Sequence, residues 1–155
     1  MKPRITDMHP ELQVKYLVFC GKMAERGIPH GLSSVIRTVA EQEAFYAQGR
    51  ENLSDVNAKR AVAGMAPITD KENIVVTWTK NSRHFPDPSG KSRAFDIYIL
   101  RGDKKATWDI KFDGDADGVP DYLEAAEIGK SCGLDCGAFW SGKKDYPHMQ
   151  LFDKG

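Results

Sequence analysis

Three short stretches of this chain carry side chains that bind metals or move protons. They are Ser82-Arg-His84, the aspartate of Phe95-Asp96-Ile97, and Asp145-Tyr-Pro-His148. His84 lies in a loop punctuated by Pro86, Pro88 and Gly90, and Asp96 lies in the apolar run that follows. A loop folding back over such a strand brings one ligand to the other. His148 supplies a third donor. Two imidazoles and a carboxylate form a zinc set whose fourth position stays open to water. Zinc in such a set brings the pKa of water to roughly 7 and polarises a carbonyl, so amide hydrolysis becomes feasible at neutral pH. Asp145 precedes His148 by three positions, with Pro147 restraining the backbone between them, and is the natural general base. By spacing alone, each histidine also reads as an ordinary polar surface side chain.

A second acidic stretch implies a different cation. Over residues 113–124, Asp113, Asp115, Asp117 and Asp121 occupy positions one, three, five and nine of a twelve-position calcium loop. Gly118 stands at the turn position, Val119 at the position that offers its carbonyl, and Glu124 at the twelfth. So many carboxylates in one short loop repel one another without a cation. A helix cap made by Asp121 and Glu124 explains those two residues and leaves Asp113, Asp115 and Asp117 unexplained. The segment before the loop reads as extended and there is one loop only. A single site that stiffens the start of one helix is therefore expected, not a paired sensor.

The elements that must position these groups alternate between helices and short strands. Residues 10–26 read as a helix, with Leu12, Tyr16, Phe19, Cys20 and Met23 at helical spacing, Pro10 in the first turn and Gly27 at the stop. His9 reads as polar surface at that helix start. A strand is expected over 32–36. Arg37 then marks a joint that either faces a cleft or is simply solvated. Thr38 and Glu41 form a capping box that starts a second helix running to about Gly49. A short helix is expected over 56–63, strands over 74–78 and 94–100, a strand-like segment over 107–112, a helix over 120–130 and a closing strand over 148–152. In the 94–100 strand, Phe95, Ile97 and Ile99 share the core face, and Asp96 and Tyr98 share the other. The mixture predicts one α+β domain spanning 1–155, with the calcium-type loop inserted at 113–124.

Bulk composition narrows the function classes. The chain has 155 residues, with 22 Lys and Arg against 22 Asp and Glu, so no basic surplus points to nucleic acid. Three cysteines, Cys20, Cys132 and Cys136, make no disulfide framework, and the last two read as free thiols near a helix end. No run is apolar enough to span a bilayer, and residues 1–12 lack the apolar stretch of a signal peptide. The expected place of synthesis is a cytoplasm, and action outside it would need a separate route of release.

Taken together, these motifs resemble the M15 zinc peptidases, specifically phage endolysins of the L-alanyl-D-glutamate peptidase type, which are related to D,D-carboxypeptidases and D-Ala-D-Ala dipeptidases. The family pattern runs Ser-x-His, Gly-x-Ala-x-Asp, then Asp or Glu-x-x-His. It is similar to Ser82-Arg-His84, Ser92-Arg-Ala94-Phe-Asp96 and Asp145-Tyr-Pro-His148 here. The family's Arg-Thr with a downstream Gln resembles Arg37-Thr38 and Gln42. The resemblance implies His84, Asp96 and His148 as zinc ligands, Asp145 as catalytic base and Arg37 as the oxyanion arginine. It implies supporting or substrate-contacting roles for Ser82 and Gln42. Two departures stand out: His84 and Asp96 are twelve positions apart because 86–91 is extra loop, and Ser92 replaces the usual Gly. The implied fold is a small α+β domain of the D,D-peptidase/hedgehog type, its antiparallel sheet carrying the zinc. The implied protein is a monomeric, bacteriolytic hydrolase that cuts the L-Ala–D-Glu bond of peptidoglycan. The rivals are a D-Ala-D-Ala carboxypeptidase or dipeptidase, and a non-enzymatic calcium-binding module.

Overall fold

Helix α1 (Pro10–Glu25) starts where the His9 ring accepts a hydrogen bond from the Glu11 N–H at 3.1 Å, with Pro10 in its first turn. Leu12, Tyr16, Phe19 and Met23 form its buried stripe. Gly27, at φ +68°, turns the chain out of the helix. The structure, a computed structural model, describes residues 2–152.

Strand β1 (His30–Ser34) follows, then α2 (Val39–Ala47) behind the Thr38/Glu41 capping box, then α3 (Leu53–Val62) behind an Asn52 cap. The central strand is β2 (Ala94–Leu100). After it come the short β3 (Ala106–Thr107), α4 (Asp121–Ser131), β4 (Asp135–Cys136) and β5 (His148–Gln150). All pairings between these strands are antiparallel, in the order β1-β2-β5-β4, with β3 pairing the far end of β2.

The alternation expected for β2 holds. Phe95, Ile97 and Ile99 are fully buried, while Asp96 and Tyr98 are half-buried on the opposite face. The buried face packs on α1 and α4. Tyr16 meets the Phe95 ring edge-on at 4.9 Å, and the Ile99 N–H donates to the Tyr122 hydroxyl at 3.1 Å. Tyr122 in turn donates to the Thr107 carbonyl at 2.6 Å, so α4 holds both β2 and the start of the 107–112 segment.

Two expected strands are corrected. Residues 74–78 form no strand, and Ile74, Val76 and Trp78 are more than half exposed. β-branched residues make a strand only where a neighbour completes the ladder. Here side chains engage Thr77 instead: Arg50 donates to its carbonyl at 3.0 Å and Gln42 to its hydroxyl at 3.2 Å. Of the 107–112 segment only Thr107 pairs, as the end of β3. Beyond it, Thr107 and Asp109 side chains accept from the N–H groups of Asp109 and Lys111, which curls the chain into turns. The first strand also begins two residues earlier than expected, at His30, and ends at Ser34.

Candidate active site

The site is built on one row of the sheet. Asp96 in β2 faces His148 in β5 on one side and Ser34 in β1 on the other. Cross-strand neighbours sit close enough for their side chains to meet, and His148 Nδ1 lies 2.9 Å from Asp96 Oδ1. His84 arrives from the loop. The Ser82 hydroxyl accepts its backbone N–H at 3.1 Å, and its carbonyl accepts the Arg37 N–H at 2.9 Å. The His84 and His148 rings meet edge-on, centroids 5.1 Å apart. One donor atom from each of His84, Asp96 and His148 falls within 4.8 Å of the others. The additional loop does not disturb this, because the Asp87 N–H closes its base on Lys91 O at 2.8 Å.

Hydrogen-bond chemistry identifies what this cluster lacks. His84 Nδ1 sits 2.7 Å from the Val35 carbonyl, which can only accept, so Nδ1 carries the proton. In the neutral ring His84 Nε2 is therefore a bare lone pair. It lies 3.2 Å from Asp96 Oδ2, another acceptor, and is buried without a hydrogen-bond partner. On the far side, His148 Nε2 lies 2.8 Å from Gln150 Oε1. With both rings neutral, two imidazole nitrogens thus converge on one carboxylate with no proton between them to donate. A divalent cation fits that donor set, and a histidine whose other nitrogen donates to a carbonyl or amide oxygen is how metal sites orient their ligands.

The charges respond to this crowding. Burial alone would push the Asp96 carboxyl up, but the charges that His84 and His148 carry when protonated, and the hydrogen bonds they then donate, hold it well below the usual range. Burial would depress His148, but Asp96 and Asp145 outweigh it and raise the imidazole above its ordinary value. Asp145 is raised, first by the protein packed around it and then by the Asp96 charge; His148, His84 and Arg37 pull the other way. Its carboxylate is nevertheless open to water at the rim.

Asp145 is held from behind by backbone. Its N–H donates to Gly137 O at 3.0 Å, and its carbonyl accepts the His148 N–H at 3.2 Å. A Cβ at position 137 would collide with the Asp145 carbonyl oxygen, so only glycine admits this approach. Arg37 is fixed on the opposite wall. It donates to Gln42 Oε1 at 2.8 Å and Ser34 Oγ at 3.2 Å, lies 3.4 Å from Asp96 Oδ2, and stacks over Phe45 at 4.8 Å. Of the two readings of Arg37, the cleft-facing one holds.

A cleft of about 860 Å³ joins these groups, with Ser82, Arg37, His84, Asp96, Asp145 and His148 in its lining and Val75, Trp108 and Trp140 as apolar walls. Gln42 is not in that lining. It is fully buried and reaches the cleft only by holding Arg37, the Thr77 hydroxyl and the Thr79 carbonyl. Ser92 is likewise fully buried, its hydroxyl 2.8 Å from the Val35 carbonyl that anchors His84. Sequence reading passed over Gln150, Asp135 and Trp140, which continue the hydrogen bonds behind His148. Strand alternation from His148 marks Gln150 as sharing its face; nothing local marks the other two.

The acidic loop stands apart. Asp113, Asp115 and Asp121 bring carboxylate oxygens within 4.8 Å of one another, as do Asp115, Asp117 and Glu124. Ala116 and Gly118, at φ +53° and +87°, make the sharp turn. Asp113 Oδ1, Asp121 Oδ1 and Glu124 Oε2 are buried without a partner. The Val119 N–H donates to Asp117 at 2.8 Å, and Arg26, the residue that caps the end of α1, donates to Glu124 at 3.2 Å. Burial, above all, raises the carboxyls of Asp121 and Glu124. Cys20, Cys132 and Cys136 are free thiols.

No family model matches the chain. The peptidoglycan L-alanyl-D-glutamate endopeptidase CwlK of Bacillus subtilis (strain 168) is 28% identical over 149 residues, covering 96% of this chain and 76% of that protein. The crystal structure of the Serratia marcescens L-Ala D-Glu endopeptidase ChiX shares the fold, with a TM-score of 0.57 at 16% identity, over 96% of this chain and 83% of that one. Along nearly its whole length the chain is thus similar in sequence to one L-alanyl-D-glutamate endopeptidase, and it shares the fold of another.

Proposed function

We propose that this protein is a zinc-dependent peptidoglycan endopeptidase that hydrolyses the L-Ala–D-Glu bond of stem peptides. The observation that carries the reading is the lone pair of His84 Nε2, buried and without a hydrogen-bond partner beside Asp96 and His148 at the floor of an open cleft. The similarity to an L-alanyl-D-glutamate endopeptidase supports the choice of bond. His84 Nε2, Asp96 and His148 Nδ1 would hold the ion. Zinc in that set supplies a Lewis acid that acidifies water and polarises the scissile carbonyl. Asp145 accepts a proton from the attacking water on its carboxylate and passes it to the leaving amine nitrogen. Its raised affinity for protons suits both halves of that exchange. Arg37, braced by Gln42 and Phe45, keeps a positive charge on the opposite wall for the developing oxyanion. Ser82 acts through the loop, capping the turn that presents His84.

Digestion of purified peptidoglycan with mass-spectrometric readout tests this. Fragments cut between L-Ala and D-Glu are expected, and release of D-Ala alone would replace the reading with a D,D-carboxypeptidase. The same reading makes the protein a bacteriolytic monomer of the phage-lysin type, released to the wall from a host cytoplasm.

The reading extends to calcium at 113–124, held by Asp113, Asp115, Asp117, Asp121, Glu124 and the Val119 carbonyl. The buried, unpartnered carboxylate oxygens support it. A cation bound only by the folded state stabilises it: about 2.7 kcal/mol at a hundredfold excess over Kd, or roughly 5–10 °C in Tm for a chain of this size. Raised folded pKa values mean that Asp121 and Glu124 bind protons more readily folded than unfolded. Protons therefore stabilise the chelated protein as pH falls through those values and compete with calcium for the same oxygens. The calcium-minus-chelator difference in Tm is expected to be largest near neutral pH and to shrink on acidification. Equal melting with and without calcium at pH 7 would end the calcium assignment.

A further inference from the structure

We propose that Trp140, Asp135 and Gln150 form a positioning relay that fixes the proton of His148 on Nε2, aims its Nδ1 lone pair at the metal position, and so sets metal affinity. The inference rests on the zinc reading above.

Each step of the relay follows from the one before. The Trp140 indole can only donate, and its Nε1–H reaches Asp135 Oδ1 at 2.8 Å. The Asp135 carboxylate can only accept, and its Oδ2 takes the Gln150 amide N–H at 3.2 Å. That bond decides which end of the Gln150 amide faces His148: the oxygen, 2.8 Å from Nε2. An amide oxygen can only accept, so His148 Nε2 must carry a proton, and in the neutral ring Nδ1, 2.9 Å from Asp96 Oδ1, is left as the lone pair aimed at the metal position.

The fold builds the relay from three elements. Asp135 in β4 pairs with Gln150 in β5, and strand alternation sets Gln150 on the same face as His148. Trp140 follows the 3-10 turn Gly137–Phe139, and its ring also packs on His148 at 5.2 Å, limiting rotation of the imidazole. Gln150 is only 8% exposed, so water does not readily replace it as acceptor.

The two histidines are thus oriented by different means. His84 leans on a main-chain carbonyl, which no substitution removes. His148 leans on side chains that end in a charge, and carboxylate-terminated partners of this kind strengthen a histidine as a ligand. The relay gives β4 and the 137–140 turn a task beyond closing the sheet.

The test measures zinc Kd by competition with a chromophoric chelator on the full chain. Gln150→Leu is expected to weaken zinc binding about 10- to 100-fold. Gln150→Glu sets a carboxylate against Asp135 and is also expected to weaken it. Adding Asp135→Asn to Gln150→Glu restores a donor opposite the new carboxylate while the asparagine oxygen still accepts from Trp140. The pair should recover affinity to within a few fold of the wild type. Trp140→Phe keeps the ring, removes only the Nε1–H, and should weaken zinc less than Gln150→Leu; it also serves if Gln150→Leu does not fold. A merely structural network would lower Tm in these variants and leave zinc Kd unchanged, which would overturn the relay but leave the metal site intact. A wild-type chain that binds no zinc would overturn the metal reading and the relay with it.

Discussion

Replacing His84 with alanine is expected to abolish both zinc binding and peptidoglycan hydrolysis while the chain stays folded. His84 is the one ligand delivered by a loop, and its Nε2 is the donor left without a partner. Two remaining ligands make a weak site, and without the Lewis acid neither the water nor the amide carbonyl is activated. The fold should survive because the ring's main structural bond, to Val35 O, is backed by the Ser92 hydroxyl at 2.8 Å on the same carbonyl. A lost buried side chain still costs stability, on the order of 1–3 kcal/mol. The measurement is metal content by atomic emission beside turbidity clearing of cell walls. Chelation of the wild type should reproduce the loss and zinc should reverse it. Full lysis by His84→Ala would remove zinc from the mechanism.

The second large effect belongs to Asp145. Asp145→Asn keeps the shape of the side chain and removes its capacity to take a proton. General-base catalysis contributes about 10²–10⁴-fold, so kcat should fall within that range while zinc content stays at the wild-type level. The pH profile carries independent information. Burial and the Asp96 charge raise the Asp145 carboxyl, so wild-type kcat/KM should decline as pH falls through that raised value, because the base is then occupied. The decline should be absent from the residual activity of Asp145→Asn. A variant within threefold of wild type would assign the base to another group. Because Asp145 is placed by the Gly137 contact, a Gly137→Ala chain should show a similar kcat loss with its carboxylate intact.

The helices were legible because their signals are local. Pro10 and Gly27 bound α1, and Thr38 with Glu41 makes the capping box of α2, interactions that form within four residues of chain. The β2 pattern was legible for a similar reason: alternation over Phe95, Asp96 and Ile97 is a property of the strand itself. Residues 74–78 carried an equally strong β signal and yielded none, since a strand also needs a neighbour. Gln42 of α2 and Arg50 of the turn after it instead hold the Thr77 hydroxyl and carbonyl.

By itself, the sequence determined the donor types, the loop that carries His84, the strand that carries Asp96 and the acidic positions of 113–124. These are facts of composition and short spacing. Only the tertiary structure decided that Asp96 stands opposite His148 across two strands, and that Gln42 lies behind Arg37 rather than in the cleft. It also decided that Asp135 and Trp140 end the hydrogen-bond chain behind His148. Register and burial arise from pairing between segments distant along the chain, and the sequence around any one of these residues carries no mark of its partner.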